Sequence, residues 1–157
     1  MLHDPGSYTP PVILEEIHLT DKEKTILRKL GEEIAVISAL PVHKEKVLLW
    51  TGLNDLRSER PMVWINEIPW HEMNVNDELT LQTVNPWARE FEQKLRREIY
   101  QWKHMPGDMI VNDYIECPLA IHSTDFDIIE DVDIVRTDEK SDIYSRHFNV
   151  QIKEPED

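Results

Sequence analysis

The chain has 157 residues, with 31 acids against 17 bases, a net charge of −14 and a single cysteine. That length suits one domain with a real core. The charge argues against nucleic-acid binding and against docking on anionic membrane, both of which call for a basic surface, and one thiol leaves no internal disulfide. There is no apolar run of about 18 residues, and Met1 to Gly6 lacks the basic and apolar regions of a secretory signal, so a soluble, cytoplasmic protein is expected.

Residues 1–19 carry Pro5, Gly6, Pro10 and Pro11 and read as a loose N-terminal tail, with Val12 to Leu14 as its one apolar piece. Thr20 opens the first helix. Thr20 and Glu23 fit a capping box, and Ile26, Leu27, Leu30, Ile34 and Ile37 then recur on one helical face until Pro41 breaks the run. A second helix is expected from Val42 to Leu56. Val47, Trp50, Leu53 and Leu56 form its apolar face, and Lys44, Glu45 and Lys46 form a solvated one.

The stretch from Arg60 to Met73 carries the strongest functional signal. A short apolar strand, Met62 to Ile65, opens into a polar segment bearing Asn66, Glu67, Trp70, His71 and Glu72, with Pro61 and Pro69 marking the strand start and the loop turn. A buried strand that releases acids, an amide and an imidazole at its end is how α/β sites are commonly built. A short helix is expected over residues 76–83. Next comes the clearest helix of the chain, with Asn85 as N-cap and Pro86 at the first helical position. Its stripe is Trp87, Phe91, Leu95, Ile99 and Trp102, and Arg96, Arg97, Lys103 and His104 oppose the macrodipole near its end. Gly107 suits a left-handed cap.

A second strand is expected over Asp108 to Ile115. The order strand, helix, strand makes one parallel βαβ unit with a right-handed crossover. Phe126, Ile128, Glu130, Val132 and Ile134 then share one face, and Phe148, Val150 and Ile152 alternate similarly. These two runs predict an antiparallel hairpin around a polar loop at residues 136–142. The expected fold class is therefore α/β: N-terminal helices, a parallel βαβ unit and a C-terminal β-hairpin. The five tryptophans are read as core or pocket wall.

Each candidate site residue has a bland reading beside the functional one. His71 with Glu72 can serve as a general acid/base pair or face solvent. Glu67 can be a pocket carboxylate or a cap. Asp113, with Asn112 and Tyr114 beside it, ends the second strand, where α/β sites gather. Asn66 and Trp70 flank the first strand end as substrate-binding candidates. His71, His104, Cys117 and His122 are donor types that suit zinc, but they have no tight metal-ligand spacing, and no metal site is expected. The acidic run 125–133 lacks the glycine-centred loop of a calcium site and reads as a solvated face.

The order of these elements resembles the N-terminal part of the uroporphyrinogen decarboxylase-like superfamily, which includes the heme-pathway decarboxylase and the corrinoid-linked methyltransferases. Leu53 to Trp64 resembles that family's junction of a basic residue and a proline leading into the first barrel strand. Asp108 to Pro118 is similar to its second strand, with Asp113 five residues before Pro118. The resemblance covers residues 20–157 and implies the start of a TIM barrel. It also implies one pocket wall built from Asn66, Glu67, His71 and Asp113. True decarboxylases carry Arg-Gln-Ala-Gly-Arg after the first strand. This chain has Asn66-Glu67-Ile68-Pro69-Trp70-His71, which cannot pair with an octa-acid porphyrinogen. The expectation is therefore the methyltransferase side of the family, acting on a small methylated substrate.

In that family the chemistry draws on zinc and a corrinoid protein, and the zinc ligands lie in later strands, so no cofactor is expected on this segment. A full barrel takes about 250 residues, which leaves room here for two strands. Expected partners are a small-molecule substrate, a corrinoid protein, and a second chain or further copy that covers the open strand edges. The alternative is a non-catalytic binding or assembly subunit that completes its barrel with a partner chain.

Overall fold

The computed structural model describes residues 8–9, 17–116, 121–122, 131–136, 144–150 and 154. In chain order the elements are β1 (Tyr8–Thr9), α1 (Asp21–Ser38), α2 (Val42–Asn54), α3 (Trp70–Met73), α4 (Pro86–His104), β2 (Ile121–His122), β3 (Val132–Arg136) and β4 (Tyr144–Phe148). The chain divides into two units, Ile13–Glu116 and a second made of Met1–Val12 with Cys117–Asp157. No helix among the described residues is long and apolar enough to cross a membrane.

In the Ile13–Glu116 unit, α1 begins as its sequence dictates. The Thr20 hydroxyl accepts the Glu23 N–H at 3.2 Å, and the Glu23 carboxylate accepts the Thr20 N–H at 2.9 Å. Between them they satisfy amides that every helix start leaves orphaned. The same carboxylate accepts the N–H groups of Val84 and Asn85 at 2.9 and 2.8 Å, tying the start of α1 to the entry of α4. Asn85 caps α4 by accepting the Ala88 N–H at 3.2 Å, with Pro86 inside the first turn. The core is Leu27, Leu30, Ile34 and Ile37 from α1, Ala88, Leu95 and Ile99 from α4, and Met109 and Val111 from the segment that follows. Leu19, Ile26, Trp87, Phe91 and Trp102 pack at its margin.

The structure turns α2 away from its predicted face. Val47, Leu48 and Leu56 are exposed, whereas His43 and Lys46 are buried. Lys46, read from sequence as solvated, donates to the carbonyls of Gly107 and Met109 at 3.0 and 3.2 Å and lies over the Trp102 ring. Two carbonyls and an aromatic face replace the water that an ammonium would otherwise require. The helix ends at Asn54 in a Schellman turn. Arg57 N–H bonds Gly52 O at 2.7 Å, Leu56 N–H bonds Leu53 O at 3.0 Å, and Leu56 itself sits at φ +60°.

Neither expected strand of the βαβ unit forms, and the four strands among the described residues pair antiparallel. Residues 61–69 and 109–112 run without any strand assignment, and the region meets itself through one backbone bond, Asp108 N–H to Val63 O at 2.8 Å. Side chains occupy positions that a neighbouring strand would fill. The Asp108 carboxylate accepts the Val63 N–H at 2.7 Å, and Gln101 donates to Ile65 O at 2.9 Å. Trp50 donates to Asp108 O at 2.9 Å, and His43 accepts the Val111 N–H at 3.3 Å. Gly107 takes φ +48°, and a Cβ there would stand 2.9 Å from Val63 O, so conformation and space both demand glycine. The helix expected over residues 76–83 is also absent, and a four-residue helix, α3, forms instead where a loop was expected.

In the other unit, β1 pairs with β2 in the register Tyr8 to His122 and Thr9 to Ile121, so two residues of the expected tail are paired. The expected hairpin is present as β3 and β4, with Val132 opposite Phe148 and Arg136 opposite Tyr144. On β3, Val132 and Ile134 are more covered than Asp133 and Val135, as the alternation predicts. The return strand is earlier than expected, ending at Phe148 rather than running on through Val150, because Val132 takes Phe148 as its partner. Residues 126–130 and 152 of the predicted strands lie outside the described residues.

Candidate functional site

The predicted site residues separate into two groups. Asn112 and Tyr114 line a groove of about 440 Å³ that lies against α4, and Trp64 stands on the same wall. Asn66, Glu67, Trp70, His71 and Asp113 do not line it. Asn66 donates to Glu67 at 3.3 Å, both on the exposed surface. His71 pairs with its neighbour Glu72 at 3.5 Å. Trp70 meets Tyr100 edge-on at 6.3 Å and lies under the Arg97 guanidinium at 5.1 Å, so Arg97 is the link between Trp70 and the groove it lines. The three expected catalytic residues Asp113, His71 and Glu67 are all exposed, and no hydrogen bond or ion pair joins any two of them. The reason is local. Without a strand ladder, the polar residues after Ile65 and after Val111 are not driven to the same end of a sheet.

The groove floor is α4, through Phe91, Leu95, Glu98 and Gln101, and its rim is Met109 to Glu116 with Trp64. Trp64, Tyr114 and Ile115 line it while leaving 57%, 60% and 55% of their surfaces exposed. Lys94 and Arg97 supply positive charge, and Glu98 and Glu116 supply carboxyl groups. Glu98 is half-buried, and burial pushes its carboxyl pKa up, opposed in part by Lys94 one turn earlier. A smaller hollow of about 120 Å³ beside Glu33, Glu78 and Lys103 has these side chains in ion pairs, Lys103 to Glu33 at 2.6 Å and His104 to Glu78 at 3.0 Å.

Three further polar arrangements of this unit stand outside the groove lining. Arg60 grips Asp108 at 2.6 and 3.0 Å, and with the Val63 N–H it holds that carboxyl far below the usual range. His43 is buried, with Nε2 3.0 Å from Ile37 O and Nδ1 accepting the Val111 N–H. This pattern fixes the neutral tautomer with the proton on Nε2. Desolvation lowers the His43 pKa, the Ile37 carbonyl opposes that, and Lys46 adds to the lowering. Glu92 is fully buried under the entry to α4. Burial is the largest single influence and raises its pKa. The Thr83 hydroxyl, Arg96 and the amides of Gln82 and Thr83 together outweigh it, so the carboxyl sits below the usual range.

Sequence reading missed Glu92 and Glu98, although a signal for both exists. Glu92 lies four residues after Ala88 and three before Leu95. Glu98 lies seven after Phe91 and four before Trp102. Each is an acid set inside an apolar helical stripe, a position that asks for a partner. Of the donors weighed for zinc, His71 and His104 face Glu72 and Glu78 separately, and Cys117 lies outside the described residues. Among the described residues no three His, Cys, Asp or Glu side chains gather as a metal-holding group. Comparison with protein-family models, with curated proteins and with solved structures finds no match to this chain.

Proposed function

We propose that this chain is the opening part of a uroporphyrinogen decarboxylase-like enzyme of the corrinoid-linked methyltransferase type, working in the cytoplasm on a small methylated substrate. The groove beside α4 is the wall it contributes to the substrate pocket. The observation that carries the reading is the meeting of the two family-like segments. The stretch after Pro61 and the stretch after Gly107 touch through Asp108 N–H and Val63 O at 2.8 Å, with α4 between them in sequence. Trp64, Asn112 and Tyr114 then face one hollow. Its mixed lining of two cations, two acids and aromatic rings suits a small organic molecule better than a poly-acid porphyrinogen, which would need matched guanidinium groups.

In this reading Asn112 and Tyr114 orient the substrate by hydrogen bonds and Trp64 supplies an apolar face. His71 and Glu67 would reach the pocket only once further barrel strands reposition residues 66–72. The described residues offer no ligand set for zinc, so no step is assigned to a metal on this segment.

The test joins the chain to the remaining barrel strands, in cis or in trans, and follows methylcobalamin formation from cob(I)alamin with methanol, methylamines and methoxy-aromatics in turn. Transfer from one of these, slowed by Tyr114→Phe and Asn112→Ala, is the expected result. An assembled protein that transfers no methyl group from any of them removes the enzymatic reading. The second reading, a non-catalytic assembly subunit, is favoured by the exposed apolar row Val63, Trp64, Tyr114 and Ile115. It predicts concentration-dependent association in sedimentation, lost in Trp64→Ser with Ile115→Ser.

A further inference from the structure

Glu98 is the one acid of the groove floor, and nothing in the proposed chemistry uses it. Phe91, Leu95 and Trp102 share its side of α4, so the carboxyl is set within an apolar stripe. It is half-buried and makes no hydrogen bond or ion pair within the described residues. Among the described residues no buried side-chain oxygen lacks a partner, so the Glu98 carboxyl oxygens open into the groove, and a perturbed carboxyl in a cleft that bonds no protein group marks a candidate binding group. The volume of about 440 Å³ falls within the range of small-molecule sites.

The surroundings narrow the ligand. Trp64 and Tyr114 present aromatic surface to the groove while more than half exposed, which suits a ring laid against them. Lys94 and Arg97 line the same space and repel an organic cation. Glu98 and Glu116 repel a carboxylate. A neutral hydroxyl escapes both penalties, since it can donate to a carboxylate or accept from a carboxyl. We propose that this groove binds a neutral aromatic alcohol or phenol, with the ring against Trp64 and Tyr114 and the hydroxyl on the Glu98 carboxyl. The proposal concerns the pocket described above and rests on that reading for its biological role, while the binding itself stands or falls separately.

The probes are 4-methylphenol, benzylamine and benzoate, which share a ring and differ in charge. They are titrated into the whole chain and followed by NMR of the Trp64 indole N–H and the Glu98 side-chain carboxyl. 4-Methylphenol is expected to bind most tightly of the three, to shift the Trp64 signal, and to move the Glu98 titration to lower pH, because a hydroxyl donor favours the carboxylate. Glu98→Leu should weaken it by about tenfold, the worth of one hydrogen bond to a charged group. Equal binding of all three probes, or binding that leaves the Glu98 titration in place, overturns the assignment, as does the absence of saturable binding. The wild-type titration decides this even where Glu98→Leu fails to fold. If 4-methylphenol binds as stated and the assembled enzyme transfers no methyl group, the site stands and the enzymatic reading falls. Methyl transfer without phenol binding has the opposite meaning.

Discussion

Arg60 and Asp108 meet in a two-point ion pair across 48 residues of sequence, at 2.6 and 3.0 Å, and the same carboxylate accepts the Val63 N–H at 2.7 Å. The guanidinium is half open to solvent, while the carboxylate is almost fully covered. The two partners are therefore unequal. Losing Arg60 leaves Asp108 with an amide partner, whereas losing Asp108 leaves the Val63 N–H bare and Arg60 with only the Pro61 carbonyl. Thermal melts should rank Asp108→Ala as more damaging than Arg60→Gln, with Arg60→Lys between wild type and Arg60→Gln because it keeps charge without the fork. Equal losses for Arg60→Gln and Asp108→Ala would show that the Val63 bond contributes nothing.

Acid should unfold this protein early, and Glu23 contributes to that. Amides of Asn85, Thr20 and Val84 and the Thr20 hydroxyl lower its pKa from the ordinary 4.5 to about 2. A carboxyl depressed on folding adds stability that is fully present above its unfolded value and is lost as pH falls from 4.5 through about 2. Glu92, also depressed, acts in the same direction. Urea midpoints measured from pH 7 down to pH 2 should fall steeply below pH 5 in the wild type. The fall should be shallower in Glu23→Gln, which starts from a lower midpoint at pH 7.

His43 is a structural imidazole held neutral. Its lowered pKa means that stability is present above the unfolded value, near 6.5, and declines as pH drops below it. His43→Leu keeps the bulk and leaves the Val111 N–H without a partner, while Ile37 O keeps the Leu40 N–H, at a cost of about 1–3 kcal/mol. Denaturant titration checks the loss. Nitrogen-15 NMR should show a protonated Nε2 and a bare Nδ1 at pH 7, and an imidazolium pattern there would contradict the hydrogen-bond assignment.

Two left-handed positions predict substitutions of opposite sign. Leu56 holds φ +60° with 93% of its surface exposed, so Leu56→Gly removes backbone strain and forfeits almost no burial. It should stabilise by about 1 kcal/mol. Gly107→Ala imposes that same strain and drives a methyl to 2.9 Å from Val63 O, so it should destabilise by about 2 kcal/mol or more. Parallel urea curves for the two variants test both.

Helices were legible where sequence signals are local. Thr20 reaches Glu23 and Asn85 reaches Ala88, each three residues on, and Pro86 follows its cap directly, so both starts form as their patterns require. The face of α2 was not, because Lys46 is buried by carbonyls from residues 107 and 109, more than 60 positions away, which no periodicity reports. Apolar residues 62–65 and 109–111 carry strand composition, yet a ladder depends on what lies alongside, and there it is side chains. Of the candidate site, Asn112 and Tyr114 were legible from their place after an apolar run. Glu98 was hidden by the helix stripe that surrounds it.

The side-chain bonding of the extended segments has an evolutionary consequence. In a sheet, backbone holds backbone, and almost any residue can occupy a strand without breaking the bond it carries. Here the shape of residues 63–65 and 107–111 is held by His43, Lys46, Trp50 and Gln101 from the helices and by Asp108 from within. Trp64 and Ile110, which line the groove, make none of these bonds, so changes there alter what the groove meets while the five anchors hold the backbone. Specificity can drift along the rim without loss of the fold that presents it.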